Sequence, residues 1–563
     1  MEKEYCVTLY DRDRLEDFYD EMKSKGFKLS RKRPISRNTH YWMTEEQAVE
    51  LRKDSSVWGV DAVDDFHDEI YGIYNNTSYS KNGNYWKDDS QPPLTVYSGD
   101  YQWGHIHCAG AAHRRGKGYF GDISAGGTYE RRTNQPVSIF NDGKHTDVVI
   151  VDDPMAYDSE EWYSPTANST RFVQYQWFNE LSSIVSSIDD NYGGSEPTGT
   201  ITYAQNSNLS YYHGQHVCGI VAGQHYGWAT EANIYNMHRT GTYWVHPLLR
   251  FDYLRAFHLN KAVNSTTGRR NPTITNHSYG GLIYYNTDET SSLAFSDIGS
   301  IRYRNTTYNS SNPGPSGWSQ TGVGKDFGIR FDSKSIPAYN SGMSADVQDA
   351  IADGIVVIAA AGNDNMYIAE PNDADWNNYM VWSKGGSWVA AYMNRGAWPA
   401  CPDGGAIVVG GLSNIHDFRR ADFSNYGPSI DTFAPGQEIL SCFGNTGLAD
   451  GKYGSGNYFY PIGGTSMSSP QVAGVAAILA TAKPRFGNED VRSYLQQTNI
   501  NDDMTFDSGT GTHDDDTCQI GSPNSYLHSK NPRAESGMID NVKGERKTSG
   551  TTFPRKSTFN YTS

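Results

Sequence analysis

Residues 463–479 read GGTSMSSPQVAGVAAIL, so that a serine follows two glycines and opens a stretch of small and apolar residues. The glycines permit a close backbone approach and dihedral angles that other residues avoid. Pro470 is compatible with a helix because it falls in the first turn, and the apolar residues after it repeat at helical spacing. The pattern predicts a buried helix that holds Ser466 rigidly near the positive end of the helix dipole.

A base for this serine is found upstream. A serine hydroxyl at neutral pH needs a neighbouring base before it can act as a nucleophile. Residues 213–223 read HGQHVCGIVAG, which places His213 at the head of a second small-residue helix. Because histidine is the side chain that most often serves as a general base, we predict that His213 takes the proton of Ser466.

The group that orients this imidazole is expected at the end of an apolar strand. Residues 147–154 read DVVIVDDP, a strand that ends in two carboxylates. Asp152 is the first side chain past the strand, where α/β sheets gather their functional groups. We predict that Asp152 orients the imidazole and supports its charge, with the adjacent Asp153 as the alternative.

An oxyanion donor is expected at the end of another buried strand. Residues 354–364 read GIVVIAAAGND, an apolar run that ends in a glycine and an asparagine. A side-chain amide at such a position can donate a hydrogen bond to a developing oxyanion. We therefore predict that Asn363 completes the catalytic set.

The order Asp152, His213, Ser466, with Asn363 as a fourth motif, resembles that of the subtilisin-like serine proteases, or subtilases. The resemblance extends over roughly residues 100–500. It implies an α/β fold with a doubly wound, mostly parallel sheet of the subtilisin type. It also implies a serine endopeptidase that cuts peptide bonds through an acyl-enzyme.

Two further segments are similar to parts of subtilases. Residues 276–281, NHSYGG, resemble the family's substrate-binding edge strand, which implies that Ser278, Tyr279 and Gly280 pair with the substrate backbone. Residues 421–428, ADFSNYGP, resemble a structural loop that precedes the serine. Because Tyr279 stands where the family commonly has an aliphatic residue, the side-chain preference of the S1 pocket does not carry over.

The first 63 residues carry a separate pattern. Their alternating and helical periodicities predict the order β-α-β-β-α-β, with Gly26 ending the first helix and a capping box from Thr44 to Gln47 opening the second. Such a small α+β (ferredoxin-like) module resembles the inhibitory prodomain of subtilases, which packs on the protease and lays its C-terminal end through the active-site cleft. The resemblance implies a self-processing zymogen with its own prodomain as intramolecular inhibitor.

The rest of the chain divides by composition. Residues 64–100 form a polar linker that is expected to be cut, residues 101–512 the catalytic domain, and residues 513–563 a polar basic tail. Inside the catalytic domain, residues 282–335 are an insertion, and residues 171–178 predict an added helix.

The composition and the first residues of the chain bear on which macromolecules the protein binds and on where in the cell it is made. The formal net charge of −17 argues against nucleic acid as a partner, since phosphate binding needs a cationic surface. No apolar stretch is long enough for a transmembrane segment. The first residues, MEKE, lack the features of a secretory signal, which predicts synthesis in the cytoplasm. The composition, which is rich in Tyr, Asn, Ser and Gly, resembles that of subtilases encoded by bacteriophages. This resemblance implies association with the virus particle.

Several groups of metal-ligand residues have structural interpretations. His216 lies three residues after His213 on the same helix, and His105, His107 and Cys108 form a short cluster, but both are interpreted as packing. Asp189 and Asp190 are interpreted as solvated turn carboxylates, with structural calcium, common in the family, as the alternative. No metal ligand and no cofactor for catalysis is predicted. Cys218 and Cys442 are predicted to be buried free thiols.

The sequence thus predicts a serine endopeptidase whose partner is a polypeptide substrate. The alternative is a virion-associated structural or assembly protein whose degenerate subtilase domain binds a partner chain without cutting it. An activated serine distinguishes the two hypotheses, because a scaffold protein does not need one.

Overall fold

A computed structural model gives the fold for most of the 563 residues. It describes 2–63, 104–105, 108, 139 and 141–529 apart from 165–166, 186–198, 225, 414–418, 438, 444–458, 460–461, 482–485, 502–503 and 505–518, together with the backbone of 67–70, 460–461, 545–548 and 551–554. Most of the predicted linker and tail therefore lies outside the described residues.

Short strands make up much of the described part of the chain. In chain order they are β1 (Lys3–Leu9), β2 (Lys28–Arg31), β3 (Asn38–Met43), β4 (Val57–Ala62), β5 (His67–Ile70), β6 (Asp147–Asp152), β7 (Tyr163–Ser164), β8 (Ser169–Thr170), β9 (Asn233–His238), β10 (Thr273–His277), β11 (Tyr279–Tyr284), β12 (Ile298–Tyr303), β13 (Thr306–Tyr308), β14 (Ser335–Pro337), β15 (Val356–Ala360), β16 (Tyr379–Lys384), β17 (Ser387–Tyr392), β18 (Ile407–Leu412), β19 (Thr432–Pro435), β20 (Ile439–Cys442), β21 (Phe459–Ile462), β22 (Ile500–Asn501), β23 (Ser525–Tyr526), β24 (Glu545–Thr548) and β25 (Thr551–Pro554).

The α-helices of the same described residues lie between these strands along the chain. They are α1 (Leu15–Ser24), α2 (Glu45–Leu51), α3 (Trp177–Val185), α4 (His213–Ala222), α5 (Arg250–Asn260), α6 (Gln320–Phe327), α7 (Ser341–Ala352), α8 (Thr465–Ala480) and α9 (Asn488–Thr498). None of the described helices is both long and apolar enough to cross a membrane.

The N-terminal module has the predicted order of elements. Its antiparallel sheet runs β2-β3-β1-β4, and α1 and α2 cover a core of its own. Gly26 adopts a left-handed φ of 81° after α1, and Thr44 and Gln47 form the predicted capping box at the start of α2. The sheet of this module packs against α7.

The central sheet explains where a site can form. Among the described residues its order is β22-β23-β19-β18-β15-β10-β6-β9, and every pairing from β23 to β9 is parallel. All residues of β6, β10, β15 and β18 are buried, because helices cover both faces. The predicted doubly wound, mostly parallel α/β fold is confirmed. Its strand order reverses between β6 and β10, the place where such sheets bind ligands.

Helix α8 is buried along its whole length near that point. All of its residues from Thr465 to Ala480 are buried, and it packs on α4 and on the central strands. A Cβ atom at Gly474 would lie 2.6 Å from Cβ of Trp228, so a larger residue would force the helix away from the core. The small residues of this segment are therefore needed for close packing.

The insertion at residues 282–335 is more ordered than a set of loops. Strands β12 and β13 join β16 and β17, from a later segment of the chain, in a sheet of order β13-β12-β16-β17. Helix α6 covers this sheet, and the two enclose a separate apolar cluster. The insertion and residues 379–392 thus form one subdomain beside the central sheet.

The prediction of a helix over residues 171–178 is wrong for the first part of this segment. Only Trp177 and Phe178 belong to helix α3. Phe172 forms a parallel bridge with Ile234, and the N–H of Val173 donates to the carbonyl of Ile234. Because β9 is the edge of the central sheet, its open backbone groups hold this segment extended, and tertiary pairing overrides the local helical pattern.

Candidate active site

Asp152 and His213 meet at the point where the strand order reverses. Asp152 is the last residue of β6, and His213 is the first residue of α4. The Oδ1 atom of Asp152 lies 2.7 Å from Nδ1 of His213, and both side chains are buried. A hydrogen bond to Nδ1 fixes which ring nitrogen carries the proton, so that the other can accept one. The Nε2 atom of His213 has no hydrogen-bond partner among the described residues.

The neighbouring Asp153 points to a different set of partners. It accepts hydrogen bonds from Arg239 at 3.0 Å and from the hydroxyl of Thr240 at 2.7 Å. Burial raises the pKa of Asp153, and the negative charge of Asp152 raises it further. Its ion pair with Arg239 holds the turn after β6, whereas the side chain that contacts the imidazole is that of Asp152.

The two carboxylates and the imidazole also form a potential metal-binding group. One ligand atom from each of Asp152, Asp153 and His213 lies within 4.8 Å of the others. Their hydrogen bonds and the ion pair with Arg239 already account for this proximity. The donor set therefore fits an imidazole oriented by a carboxylate better than a metal ion, which would compete with the bond at Nδ1.

Ser466 lies in the first turn of α8, as the sequence predicts. The turn begins after Gly464, whose φ is 150°. The Ser466 hydroxyl donates to the carbonyl of Ser278 at 3.0 Å, and the Ser278 hydroxyl donates back to the Ser466 carbonyl at 2.9 Å. The Ser278 hydroxyl is also 3.0 Å from that of Ser469. This network ties the nucleophile helix to the strand predicted to bind substrate.

Asn363 lies in the loop after β15 and faces the start of α8. Its Oδ1 atom accepts hydrogen bonds from the backbone N–H and the hydroxyl of Thr465, both at 2.9 Å. This fixes the orientation of the amide plane, with the NH₂ group on the opposite side. The N–H of Ser466 belongs to the first turn, where helices have no internal acceptor for their donors. These two donor groups suit an oxyanion beside Ser466.

The predicted substrate strand is β11 together with the residue before it. Ser278 precedes β11, and Tyr279 and Gly280 open it. One edge of β11 pairs with β14 and the other pairs antiparallel with β5, with Tyr279 opposite Ile70. Tyr279 is fully buried, and its hydroxyl lies 3.0 Å from Nδ1 of His277.

The other histidines and cysteines that were considered as metal ligands or reactive groups, where the structure describes them, pack against neighbouring elements of the fold. His216 contacts the carbonyl of Ile439 through Nε2 at 3.0 Å, so it ties α4 to β20. His105 packs against Trp228, with ring centroids 4.5 Å apart. Cys218 and Cys442 are buried free cysteines, as predicted, and burial raises the pKa of both thiols. His107, Asp189 and Asp190 lie outside the described residues.

The sequence analysis does not identify two residues that the structure singles out, one beside the site and one where the N-terminal module contacts the larger domain. Asn425, in the ADFSNYGP segment, hydrogen-bonds to the loop that carries Asn363. Arg33 of the N-terminal module is fully buried between two carboxylates of the larger domain. No local pattern marks either residue. The resemblance of residues 421–428 to a structural loop marks the segment of Asn425 but not the residue itself, and Arg33 lies in a run of basic residues that would ordinarily be solvated.

The chain is similar to one family of known proteins. The sequence profile of the Subtilase family matches residues 61–521. Subtilisin amylosacchariticus from Bacillus subtilis subsp. amylosacchariticus is 32% identical over 162 residues, which are 29% of this chain and 33% of that protein. A thermophilic serine proteinase from Bacillus sp. (strain AK1) is 34% identical over 173 residues, 29% of this chain and 38% of that protein. The chain therefore spans about a third of the length of these relatives.

Solved structures give matches of lower identity. The crystal structure of fervidolysin from Fervidobacterium pennivorans, a keratinolytic enzyme related to subtilisin, has a TM-score of 0.47 and 15% identity, covering 94% of this chain and 60% of that one. A cold-adapted subtilisin-like serine proteinase has a TM-score of 0.40 and 18% identity, covering 71% and 94%. Because the family profile matches more than half of its residues, the chain belongs to the subtilase family.

Proposed function

We propose that this protein is a serine endopeptidase that hydrolyses peptide bonds through Asp152, His213 and Ser466. The observation that carries the proposal is the 2.7 Å contact between Asp152 and His213 beside a helix whose first turn contains the candidate nucleophile. Membership of the subtilase family supports it. The chemistry requires no cofactor, and structural calcium remains an expectation from the family resemblance.

In the proposed mechanism His213 removes the proton of Ser466 as the hydroxyl oxygen attacks the substrate carbonyl carbon. Asp152 stabilises the imidazolium that forms, without itself becoming protonated. The Asn363 amide and the Ser466 N–H hold the negative oxygen of the tetrahedral intermediate. His213 then gives its proton to the leaving amine, and an acyl-enzyme remains. A water molecule, activated by the same imidazole, releases the second product.

The substrate is proposed to be an extended polypeptide that adds a strand to β11. The edge of β11 that faces β5 already pairs with a chain segment, at Tyr279 opposite Ile70 and Gly280 opposite Glu69. Backbone pairing of this kind holds a peptide without reading its side chains. Ser278 lies directly before this paired edge and contacts Ser466, so a peptide in the place of β5 would continue toward the nucleophile.

We propose further that residues 1–63 are an inhibitory prodomain and that the enzyme is made as a zymogen. Strand β4 leads into β5, which occupies the edge of β11 that a substrate needs. The module also docks with a buried ion pair. Arg33 donates to Asp252 at 3.0 Å and to Asp346 at 2.8 Å, and all three side chains are at most 3% exposed. Such contacts would block the cleft until the link to the module is cut.

Further contacts hold the module on α7. Asp61 accepts a hydrogen bond from the Ser341 N–H at 3.2 Å, at the N-terminus of this helix, where a carboxylate is favoured by the helix dipole. Arg37 forms an ion pair with Asp349 at 3.0 Å. In this proposal residues 64–100 are the linker that is cut, residues 101–512 the catalytic domain, and residues 513–563 a polar tail.

A fluorophosphonate probe tests the proposed activity, because labelling requires an activated serine. Purified wild-type protein is expected to be labelled at Ser466 and to cleave a denatured protein substrate, and Ser466→Ala is expected to do neither. Ser468→Ala, in the same helix turn, is the matched control and should still be labelled. A wild-type protein that binds peptides but is never labelled would favour the binding-only alternative.

A further inference from the structure

We propose that Asn425 is a positioning residue for the oxyanion site, because its side chain holds the loop that carries Asn363. The inference rests on the proposed function of Asn363 as an oxyanion donor and adds a residue to that same site. Asn425 lies 62 positions after Asn363 in the chain and is fully buried. It would act on the reaction through Asn363 and would not contact the substrate.

Asn425 contacts the backbone on both sides of Asn363. Its Nδ2 atom donates to the carbonyl of Ala361 at 2.9 Å, and its Oδ1 atom accepts from the N–H of Asp364 at 3.1 Å and of Met366 at 2.9 Å. Its own backbone N–H donates to the carbonyl of Gly362 at 2.9 Å. One residue thus supplies hydrogen bonds to two residues before Asn363 and two after it.

The loop needs these partners because it leaves the central sheet at this point. Ala361 still donates to the carbonyl of Val409 in the neighbouring strand, but Gly362 has a left-handed φ of 104° and turns the chain out of the sheet. Backbone groups beyond the turn no longer have strand partners. A buried peptide group without a hydrogen bond is unfavourable by about 1–3 kcal/mol, so the Asn425 amide replaces the missing strand for this loop.

The side chain of Asn363 is held from the other direction by α8. Its Oδ1 atom is fixed by Thr465, and the Thr465 hydroxyl also accepts from the Gly362 N–H at 3.1 Å. The amide is therefore located by two supports, one on its oxygen and one on its backbone. Without Asn425 the backbone support weakens, and a donor displaced by about 1 Å can lower catalysis on the order of 10²-fold.

Backbone contacts hold the later part of the loop independently of the Asn425 side chain. The backbone N–H of Asn365 donates to the carbonyl of Phe423 at 2.9 Å, and the backbone N–H of Tyr426 donates to the carbonyl of Met366 at 3.0 Å. These bonds would remain in a variant that lacks the Asn425 amide. The loop would therefore stay attached while the segment around Asn363 gains freedom, and this predicts a loss of turnover that exceeds the loss of stability.

The test is a double-mutant cycle between Asn425 and Asn363 in the full chain after self-processing. Asn425→Leu is expected to lower kcat about tenfold or more with KM changed by less than about twofold, because the oxyanion forms only after binding. In the background of Asn363→Leu, the same substitution is expected to lower kcat by less than about twofold, because the group it positions is gone. Equal losses in both backgrounds would overturn the inference.

Asn488→Leu is the matched control. Asn488 is buried, accepts from the Val357 N–H at 2.8 Å and donates to the carbonyl of Gly405 at 2.9 Å, so it supports the opposite end of β15. Its replacement should lower the melting temperature without changing kcat by more than about twofold. If Asn425→Leu does not fold, Asn425→Ser, which keeps a short uncharged hydrogen-bonding side chain and the backbone contact with Gly362, should show a smaller loss of kcat in the same cycle.

The outcomes separate this inference from the proposed function. A wild-type protein without peptidase activity or fluorophosphonate labelling would contradict the proposed function itself. An active wild type whose kcat is unchanged in Asn425→Leu would contradict only the role of Asn425. A change in KM alone would also contradict that role, since it would indicate an effect on substrate binding.

Discussion

The Oδ1 atom of Asp152 lies 2.7 Å from the Nδ1 atom of His213, while the carboxylate of the next residue, Asp153, pairs with Arg239. Asp153 follows the strand, and its carboxylate accepts from Arg239 and from the hydroxyl of Thr240, whereas the carboxylate of Asp152 forms the hydrogen bond with the imidazole. The geometry therefore favours Asp152 over Asp153 as the orienting residue.

Replacing each aspartate by asparagine tests this assignment. Asp152→Asn is expected to lower kcat by several orders of magnitude, because an amide favours the wrong imidazole tautomer. The same change in the well-studied Ser-His-Asp triad lowers kcat by about 10⁴. Asp153→Asn should lower kcat far less, since it weakens an ion pair with Arg239 in a turn. Turnover of a small peptide substrate is the measurement, on protein processed by an added protease.

Circular dichroism of both variants is the control, because each should retain the fold. If Asp153→Asn proved the more damaging of two folded variants, the assignment of the orienting residue would be wrong. A loss of fold in either variant would call for the same comparison in Asp153→Ser.

Maturation gives a second prediction. Strand β5 ends with Ile70 opposite Tyr279, and Ser278, next to Tyr279, accepts the hydrogen bond of the Ser466 hydroxyl. Wild-type protein should therefore yield a mature chain that begins after Ile70 and before about residue 102, whereas Ser466→Ala should remain at full length. N-terminal sequencing and intact mass are the measurements.

Ser469→Ala is a useful companion variant in the maturation experiment. Its hydroxyl lies near that of Ser278 but takes no part in the proposed chemistry, so it should still be processed. Identical processing of wild type and Ser466→Ala would show that another protease makes the cut.

The oxyanion donor gives a third prediction. Asn363→Leu removes one hydrogen-bond donor to the oxyanion. In subtilisin the loss of one such donor lowers kcat by about 10²–10³, and we expect a loss of the same size here. KM should change little, because the oxyanion is absent from the bound substrate. Steady-state kinetics on a small peptide substrate measure both constants. A loss below about fivefold would show that another group stabilises the oxyanion.

Much of the candidate site could be predicted because its residues lie at the ends of strongly patterned elements. Asp152 ends an apolar strand, His213 opens a small-residue helix, and Ser466 lies in the first turn of another. These patterns are local, so a short window of sequence contains all the information. The parallel order of the sheet then follows from the alternation of strands and helices.

The features that the sequence patterns do not predict depend on contacts between residues that are far apart along the chain. Arg33 meets Asp252 and Asp346 across 219 and 313 positions, and no periodicity links them. The segment from Phe172 has a helical pattern but pairs with the edge of β9, at Ile234. In both cases tertiary contacts, which a local pattern does not contain, decide the structure.

The buried ion pair of the module gives a fourth prediction. Arg33→Met leaves Asp252 and Asp346 in the interface without their partner, and removing one member of a buried pair costs about 3–5 kcal/mol. The cleaved module should leave sooner, so peptidase activity should appear at least about tenfold earlier after the cut. The lag between the cleaved band on a gel and the onset of activity measures this.

Lys32→Met is the matched control for the ion pair, because Lys32 pairs with Glu16 of the same module at an exposed position. Its lag should equal that of the wild type. An unchanged lag in Arg33→Met would mean that the module is held by its other contacts. Arg33→Lys keeps one charge but not the two-pronged geometry, and it should give an intermediate lag.

The half-buried side chain of Asp364, beside Asn363, gives the last prediction. Burial raises its pKa to about 6, and a hydrogen bond from Asn425 opposes the shift. Because this pKa lies above the usual value for an unfolded chain, the native state holds more protons between about pH 4 and 6, and the contribution of Asp364 to the free energy of unfolding falls as the pH rises through this window.

Asp364→Asn removes the ionisable group and keeps the acceptor for Asn425. In a Ser466→Ala background, to prevent self-digestion, the variant should gain stability over its parent between pH 4 and 6, by at most about 3 kcal/mol, and hold that gain at higher pH. Melting temperatures measured from pH 4 to 7 test this, with the exposed Asp422→Asn in the same background as control, whose curve should run parallel to that of the parent. A constant difference between Asp364→Asn and its parent across this range would mean that Asp364 does not ionise there, and the proposed environment of the oxyanion loop would have to be revised.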